Sequence, residues 1–187
     1  MKILKNIRWV AVTGLVAFTA MTSTNAHAQA SATGTASANA VIAKPITIAP
    51  TANLNFGTIV PNSAGALTVT VDTASTTPPT LGGVTDGAWV AGPISSAAFD
   101  ITGRPNASYA ITLPASATIT GGVSGATMTV DAFTDSFGGT NAVPASGTLS
   151  AGNPATSSFT VGARLTVPAG QVDDTYTGNF NVIVTYN

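Results

Sequence analysis

Few side chains in this sequence could do chemistry, and their spacing argues against a catalytic site. There is one histidine, His27, and no cysteine or glutamate; the seven acids are Asp72, Asp86, Asp100, Asp131, Asp135, Asp173 and Asp174. A hydroxyl or thiol nucleophile needs a neighbouring base that titrates near neutrality. His27 falls in a leader segment described below, so the remaining chain has neither imidazole nor thiolate. Zinc and the common transition metals prefer those ligands. Lys44 is the one lysine beyond the leader, and it sits beside Pro45 in a strand pattern, a poor setting for a Ser–Lys pair. Paired aspartates could cleave glycosides, or peptides if set in Asp-Thr-Gly or Asp-Ser-Gly turns, but no aspartate lies in such a turn. Calcium takes carboxylate and carbonyl oxygens. Asp173 with Asp174, and Asp131 with Asp135, are its candidates, and neither pair matches a spaced calcium loop. Adjacent aspartates at a turn more often accept hydrogen bonds from local backbone. The expectation is a protein without enzymatic activity, cofactor or metal. Trp89 is the one tryptophan beyond the leader and the candidate ligand contact, as a platform for a stacked sugar; its plainer reading is a core or rim residue.

The start of the chain reads as an export signal. Lys2, Lys5 and Arg8 precede an uncharged run from Trp9 to Met21, and Ala26-His27-Ala28 offers small residues at the two positions a signal peptidase reads. Residues 1–28 are therefore expected to be removed after Ala28. The apolar run is shorter than the roughly 20 residues a bilayer span needs, which argues against a membrane anchor, and no later segment could span as a helix, so no membrane insertion of the mature chain is expected. Three cations then remain, Lys44, Arg104 and Arg164, against seven aspartates, a formal charge of −4. That leaves no footprint for nucleic acid. Export predicts the periplasm, the cell surface or the medium. Without cysteine no disulfide can hold the fold, and core burial and sheet hydrogen bonds must do so.

The elements that would position any site are strands. Residues 29–40 read QASATGTASANA, with Ala30, Ala32, Gly34, Ala36, Ala38 and Ala40 on one face of an alternating pattern. The segment reads either as a flexible spacer or as a strand lent to a neighbouring molecule. Residues 41–48, 54–59, 67–71, 97–102, 109–113, 118–119, 128–131 and 158–167 carry further strand patterns, with Pro45 making the first either an edge strand or one that carries a bulge. Asp135 to Ser146 reads as a polar loop. The last stretch, Thr175 to Tyr186, has Tyr176, Phe180, Val182, Val184 and Tyr186 on one face and only Ile183 out of phase. It is expected to be a single strand inside its sheet. No helical period occurs beyond the leader, so residues 41–187 are expected to form an all-β domain, an immunoglobulin-like or pilin-like antiparallel β-sandwich. Tyr176, just after Asp173-Asp174-Thr175, sits where the tyrosine corner of such sandwiches would be.

Several blocks together resemble a bacterial exported family, DUF4402: Leu54-Asn55-Phe56-Gly57-Thr58-Ile59-Val60-Pro61, Phe99-Asp100-Ile101-Thr102-Gly103-Arg104-Pro105, Tyr109 to Pro114, Met128 to Phe133, Phe159 to Val167 and Tyr176 to Phe180. The resemblance covers Val41 to Tyr186 and implies fold and export, not activity. Leu54, Phe56 and Gly57, with the closing strand and its penultimate Tyr186, also resemble subunits of archaic, spore-coat-U-like chaperone–usher pili. That resemblance implies an incomplete sandwich filled by the N-terminal segment of the next subunit. The donor residues would be Ala30, Ala32, Gly34, Ala36, Ala38 and Ala40. A periplasmic chaperone and an usher would be partners, with the chaperone holding the strand bearing Tyr176, Phe180, Val182, Val184 and Tyr186. The sequence departs from that family in lacking a disulfide and in offering alanine where donor strands carry larger side chains. The functional expectation is an exported, non-enzymatic structural subunit of a surface appendage or layer that self-associates or binds other surface subunits. The alternative is an adhesin-like module binding glycan or matrix through loops near Trp89 and Asp135 to Ser146.

Overall fold

The computed structural model describes residues 31–187; the leader, and Gln29 and Ala30 of the expected donor segment, lie outside the described residues. Val41–Asn187 forms one compact unit. Residues 31–40 belong to a separate unit and are exposed, without helix or strand. The compact unit is an all-β sandwich. Its strands are β1 (Thr47–Ala52), β2 (Asn55–Val60), β3 (Leu67–Val71), β4 (Thr80–Gly82), β5 (Ala88–Ser95), β6 (Ala97–Gly103), β7 (Ser108–Thr112), β8 (Ser116–Gly121), β9 (Thr127–Asp135), β10 (Ala145–Thr148), β11 (Ala155–Val167), β12 (Tyr176–Thr177) and β13 (Ile183–Tyr186). Every strand pairing is antiparallel.

The organising strand is β11. Its first half pairs with β6, its second half with β3, and its other edge with β9. The exchange of partners occurs at Gly162, where a Cβ would collide with the backbone of Val71 to Thr73. Phe159, Val161, Leu165 and Val167 are buried, as their alternation predicts. Tyr109 is fully buried against them, and its hydroxyl donates to Ser157 Oγ at 2.7 Å.

Two long ribbons change sheets. In the first, β1 pairs with β6 in the eight-stranded sheet, and the same two chain segments continue as the separate pair β2–β5. The corner is pinned by Ser95 Oγ donating to the Asn53 carbonyl at 2.6 Å and by Ser96 N donating to Ser75 Oγ at 2.7 Å. In the second, β7 pairs with β13 and β8 with β12, so that residues 108–121 face residues 176–186. Pro114 stands between β7 and β8 and lacks the donor a ladder needs.

This second ribbon corrects the expectation for the final stretch. It is not one strand inside a sheet but two short strands separated by Gly178–Val182, and among the described residues each has one strand neighbour. Pro114, on the facing chain between β7 and β8, lies opposite the end of this break and supplies no donor there. The face assignment nevertheless holds: Tyr176, Phe180, Val182, Val184 and Tyr186 are half-buried, while Thr177, Asn179, Asn181, Ile183 and Thr185 are exposed. Two other boundaries move. Pro45 precedes the first strand, which is an edge strand as expected, and the loop from Asp135 ends in the short strand β10.

Candidate functional site

Between the two ribbons lies a groove of about 1120 Å³. One wall is Leu54 to Pro61, which contains β2; the other is Gln171 to Phe180. The floor comes from opposite strands and includes Phe99, Ile119, Met128, Val130, Leu165 and Val167. Ligand pockets run to roughly 300–1000 Å³, and well-packed interiors leave few voids larger than a water molecule. The groove is open to solvent, and its floor residues Val130, Leu165 and Val167 are only 2–3% exposed, so it lies over a closed core. The walls meet at one end, where Gly170 N donates to the Asn62 carbonyl at 2.8 Å.

Each wall is held in place by specific contacts. On β2, Gly57 takes a φ of 75° and carries no side chain, so the Trp89 indole of β5 packs against it. Trp89, half-buried opposite Ile59, therefore belongs to the back of this wall. Asn62 is fully buried below it. Its side-chain amide donates to the Gly83 carbonyl at 2.7 Å, and its oxygen accepts from Thr85 N and Gly87 N.

The C-terminal wall has three anchors. The Tyr176 hydroxyl donates to the Val172 carbonyl at 2.6 Å, the tyrosine corner that the sequence suggested. Asp174 accepts from Ser124 N, Ser124 Oγ and Val123 N at 2.7 to 2.9 Å, and from Thr175 N at 2.7 Å. The donors at Ser124 and Val123 hold its carboxyl at a pKa of about 2. Phe180 wedges between Phe133, at a ring-centroid distance of 5.0 Å, and Phe99, at 6.3 Å. Further along, Tyr186 Oη accepts from Arg104 N at 2.8 Å and donates to the Lys44 carbonyl at 2.9 Å.

The other candidates fill local roles. Asp131 forms a two-point ion pair with Arg164 at 2.9 and 3.0 Å. Asp135 accepts from Phe137 N and Gly139 N in its own loop. Among the described residues no group of three or more His, Cys, Asp or Glu side chains could hold a metal. Of the predicted C-terminal residues, Tyr176 and Phe180 line the groove, whereas Val182, Val184 and Tyr186 do not. Ala32, Gly34, Ala36, Ala38 and Ala40 are exposed in the separate unit. Sequence reasoning missed the Asp174 anchor and the partners of Phe180. The only available signal for Asp174 was its place in a turn.

A family model described as Domain of unknown function (DUF4402) matches residues 46–186. The chain belongs to the DUF4402 family. No curated protein and no solved structure matches it. In this DUF4402 domain the match spans both walls of the groove and the β11 spine.

Proposed function

We propose that this DUF4402 protein is an exported structural subunit of a surface appendage or layer, and that its groove takes an extended strand from residues 31–42 of a second copy. The observation that carries this reading is how strand edges are treated. An unpaired edge invites pairing with another chain, and proteins blunt such edges with proline or by keeping them short. Here β1 carries Pro50 and β5 carries Pro93. β4 and β10 are three and four residues long and directly follow Pro79 and Pro144. The two edges facing the groove, β2 and the stretch Tyr176 to Phe180, contain no proline, and β2, at six residues, is not short either.

The proposed donor is suited to the role. It alternates in sequence, is exposed throughout, and ends in Val41 and Ile42, which are 88% and 98% exposed. Twelve extended residues span about 40 Å, enough to cover the roughly 20 Å of β2. Main-chain pairing along both walls would supply affinity with small side chains. Export is supported by the leader at Lys2 to Ala28. A periplasmic chaperone and an usher would guard and order such subunits.

Deleting Gln29–Ala40 tests the reading. The expected product is a folded monomer, whereas the complete chain gives a detergent-resistant ladder that collapses on boiling. Native-like polymers from the deleted chain would sink strand donation.

A further inference from the structure

The chain beyond the leader offers very few bonds to a protease that cuts after lysine or arginine. It holds three such residues, Lys44, Arg104 and Arg164. Enzymes of the trypsin class seat the cation in an acidic pocket and attack that residue's carbonyl. Lys44 and Arg104 are each followed by proline, Pro45 and Pro105. Eleven prolines in 187 residues would follow a given residue about one time in seventeen, so two cases in three are far above chance. Proline makes the scissile bond a tertiary amide, and its ring fixes the backbone and crowds the leaving nitrogen. Such bonds are cut poorly.

The prolines stand where exposure would otherwise invite cleavage. Lys44 is exposed, at the root of a segment that is exposed and without strand from residue 31 onward. Nicking concentrates in segments of this kind. The Lys44 carbonyl also accepts from Tyr186 Oη at 2.9 Å. Arg104 is exposed in the turn after β6, where its N donates to Tyr186 Oη and its carbonyl accepts from Ala107 N.

Arg164 has no proline after it, and it is the one of the three set inside a sheet. It is paired with Thr70 of β3 on one side and Asp131 of β9 on the other. Leu165, across the scissile bond, is 2% exposed. The guanidinium is tied to Asp131 at 2.9 and 3.0 Å. A protease takes its substrate as an added extended strand, and a strand with both edges occupied cannot serve. Since β3, β6 and β9 all attach to β11, freeing it requires unfolding of the whole domain.

We infer that Arg164–Leu165 is the single bond beyond the leader open to proteases that cut after lysine or arginine, that global unfolding alone opens it, and that Pro45 keeps residues 31–44 attached to the folded domain. This holds whether or not the groove takes a strand.

Trypsin digestion of the full chain across a denaturant series tests it, with fragments read by mass; cuts at Lys2, Lys5 or Arg8 shorten only the leader. Without denaturant the chain beyond the leader should stay intact. With denaturant a single cut, after Arg164, should appear at a rate that rises with the unfolded fraction read by circular dichroism. In Pro45→Ala, which alters an exposed residue ahead of β1, the segment ending at Lys44 should be released at least 100-fold faster than from the unaltered chain, while the circular dichroism of the domain stays the same. Native cutting of the unaltered chain after Lys44, or cutting after Arg164 ahead of the unfolding transition, overturns the inference, and neither outcome depends on how the variant folds. A folded Pro45→Ala chain as resistant as the original overturns it as well.

Discussion

Residues 158–167 and 176–186 carry the two strongest alternating patterns in the chain, and they come to opposite ends. The first lies within β11, paired along both edges, with Phe159, Val161, Leu165 and Val167 all buried. The second is split into β12 and β13, each with one strand neighbour among the described residues, and its inward residues are only half-buried. Side-chain period decides which face turns inward. It does not decide how many neighbours the backbone has, because the pleat is the same at an edge and at the centre.

The comparison is broken most severely at the centre. Leu165→Ala removes a fully enclosed side chain from β11 and should cost about 3 kcal/mol, read as a lower denaturation midpoint at unchanged slope. Its equal on the C-terminal side is Phe180→Ala. Phe180 is half-buried and held by two rings, so about 2 kcal/mol is expected. A Phe180→Ala loss as large as that of Leu165→Ala would mean that the C-terminal wall is as much part of the core as β11. Tyr176→Phe sharpens the contrast further. It keeps the ring and removes one hydrogen bond, to the Val172 carbonyl, for about 1 kcal/mol. The same denaturation series gives that value, and no change would make the tyrosine corner energetically idle.

The sequence was most legible where one residue's period reports its own face. β2, β3, β6, β7, β9 and β11 lie where alternation places them, and Tyr176 makes its corner bond. It was least legible where a distant residue decides. The break at Gly178–Val182 lies opposite the chain that joins β7 to β8, with Pro114 at its end, more than sixty positions away. β5 was hidden by Gly92-Pro93 in its middle, and β10 by being made of small residues, ASGT. The groove was foreseeable only as an expectation from resemblance, because its two walls, Leu54 to Pro61 and Gln171 to Phe180, are more than a hundred positions apart in the chain.

The gentlest way to separate the two regions is pH. β11 carries no carboxylate, whereas the C-terminal wall is tied to the turn at Val123–Ser124 by Asp174. The hydrogen bonds from Ser124 and Val123 favour the ionised carboxyl and lower its pKa from 3.8 to about 2 in the folded chain. A group depressed on folding contributes stability above its unfolded pKa and loses it as pH falls through the folded value. The contribution of Asp174 is therefore complete above about pH 4 and gone below about pH 2. Asp72 and Asp86 are also lowered, by Thr76 and Ser63 respectively, and act in the same direction. The measurement must therefore be a difference. The melting temperature of the unaltered chain minus that of Asp174→Asn should shrink between pH 4 and pH 2, and the Val123 and Ser124 amides should exchange faster over the same window. Amides in β11 should keep their protection there. A difference that stays constant with pH would detach Asp174 from the stability of the wall, and parallel loosening of β11 would erase the distinction between the two regions.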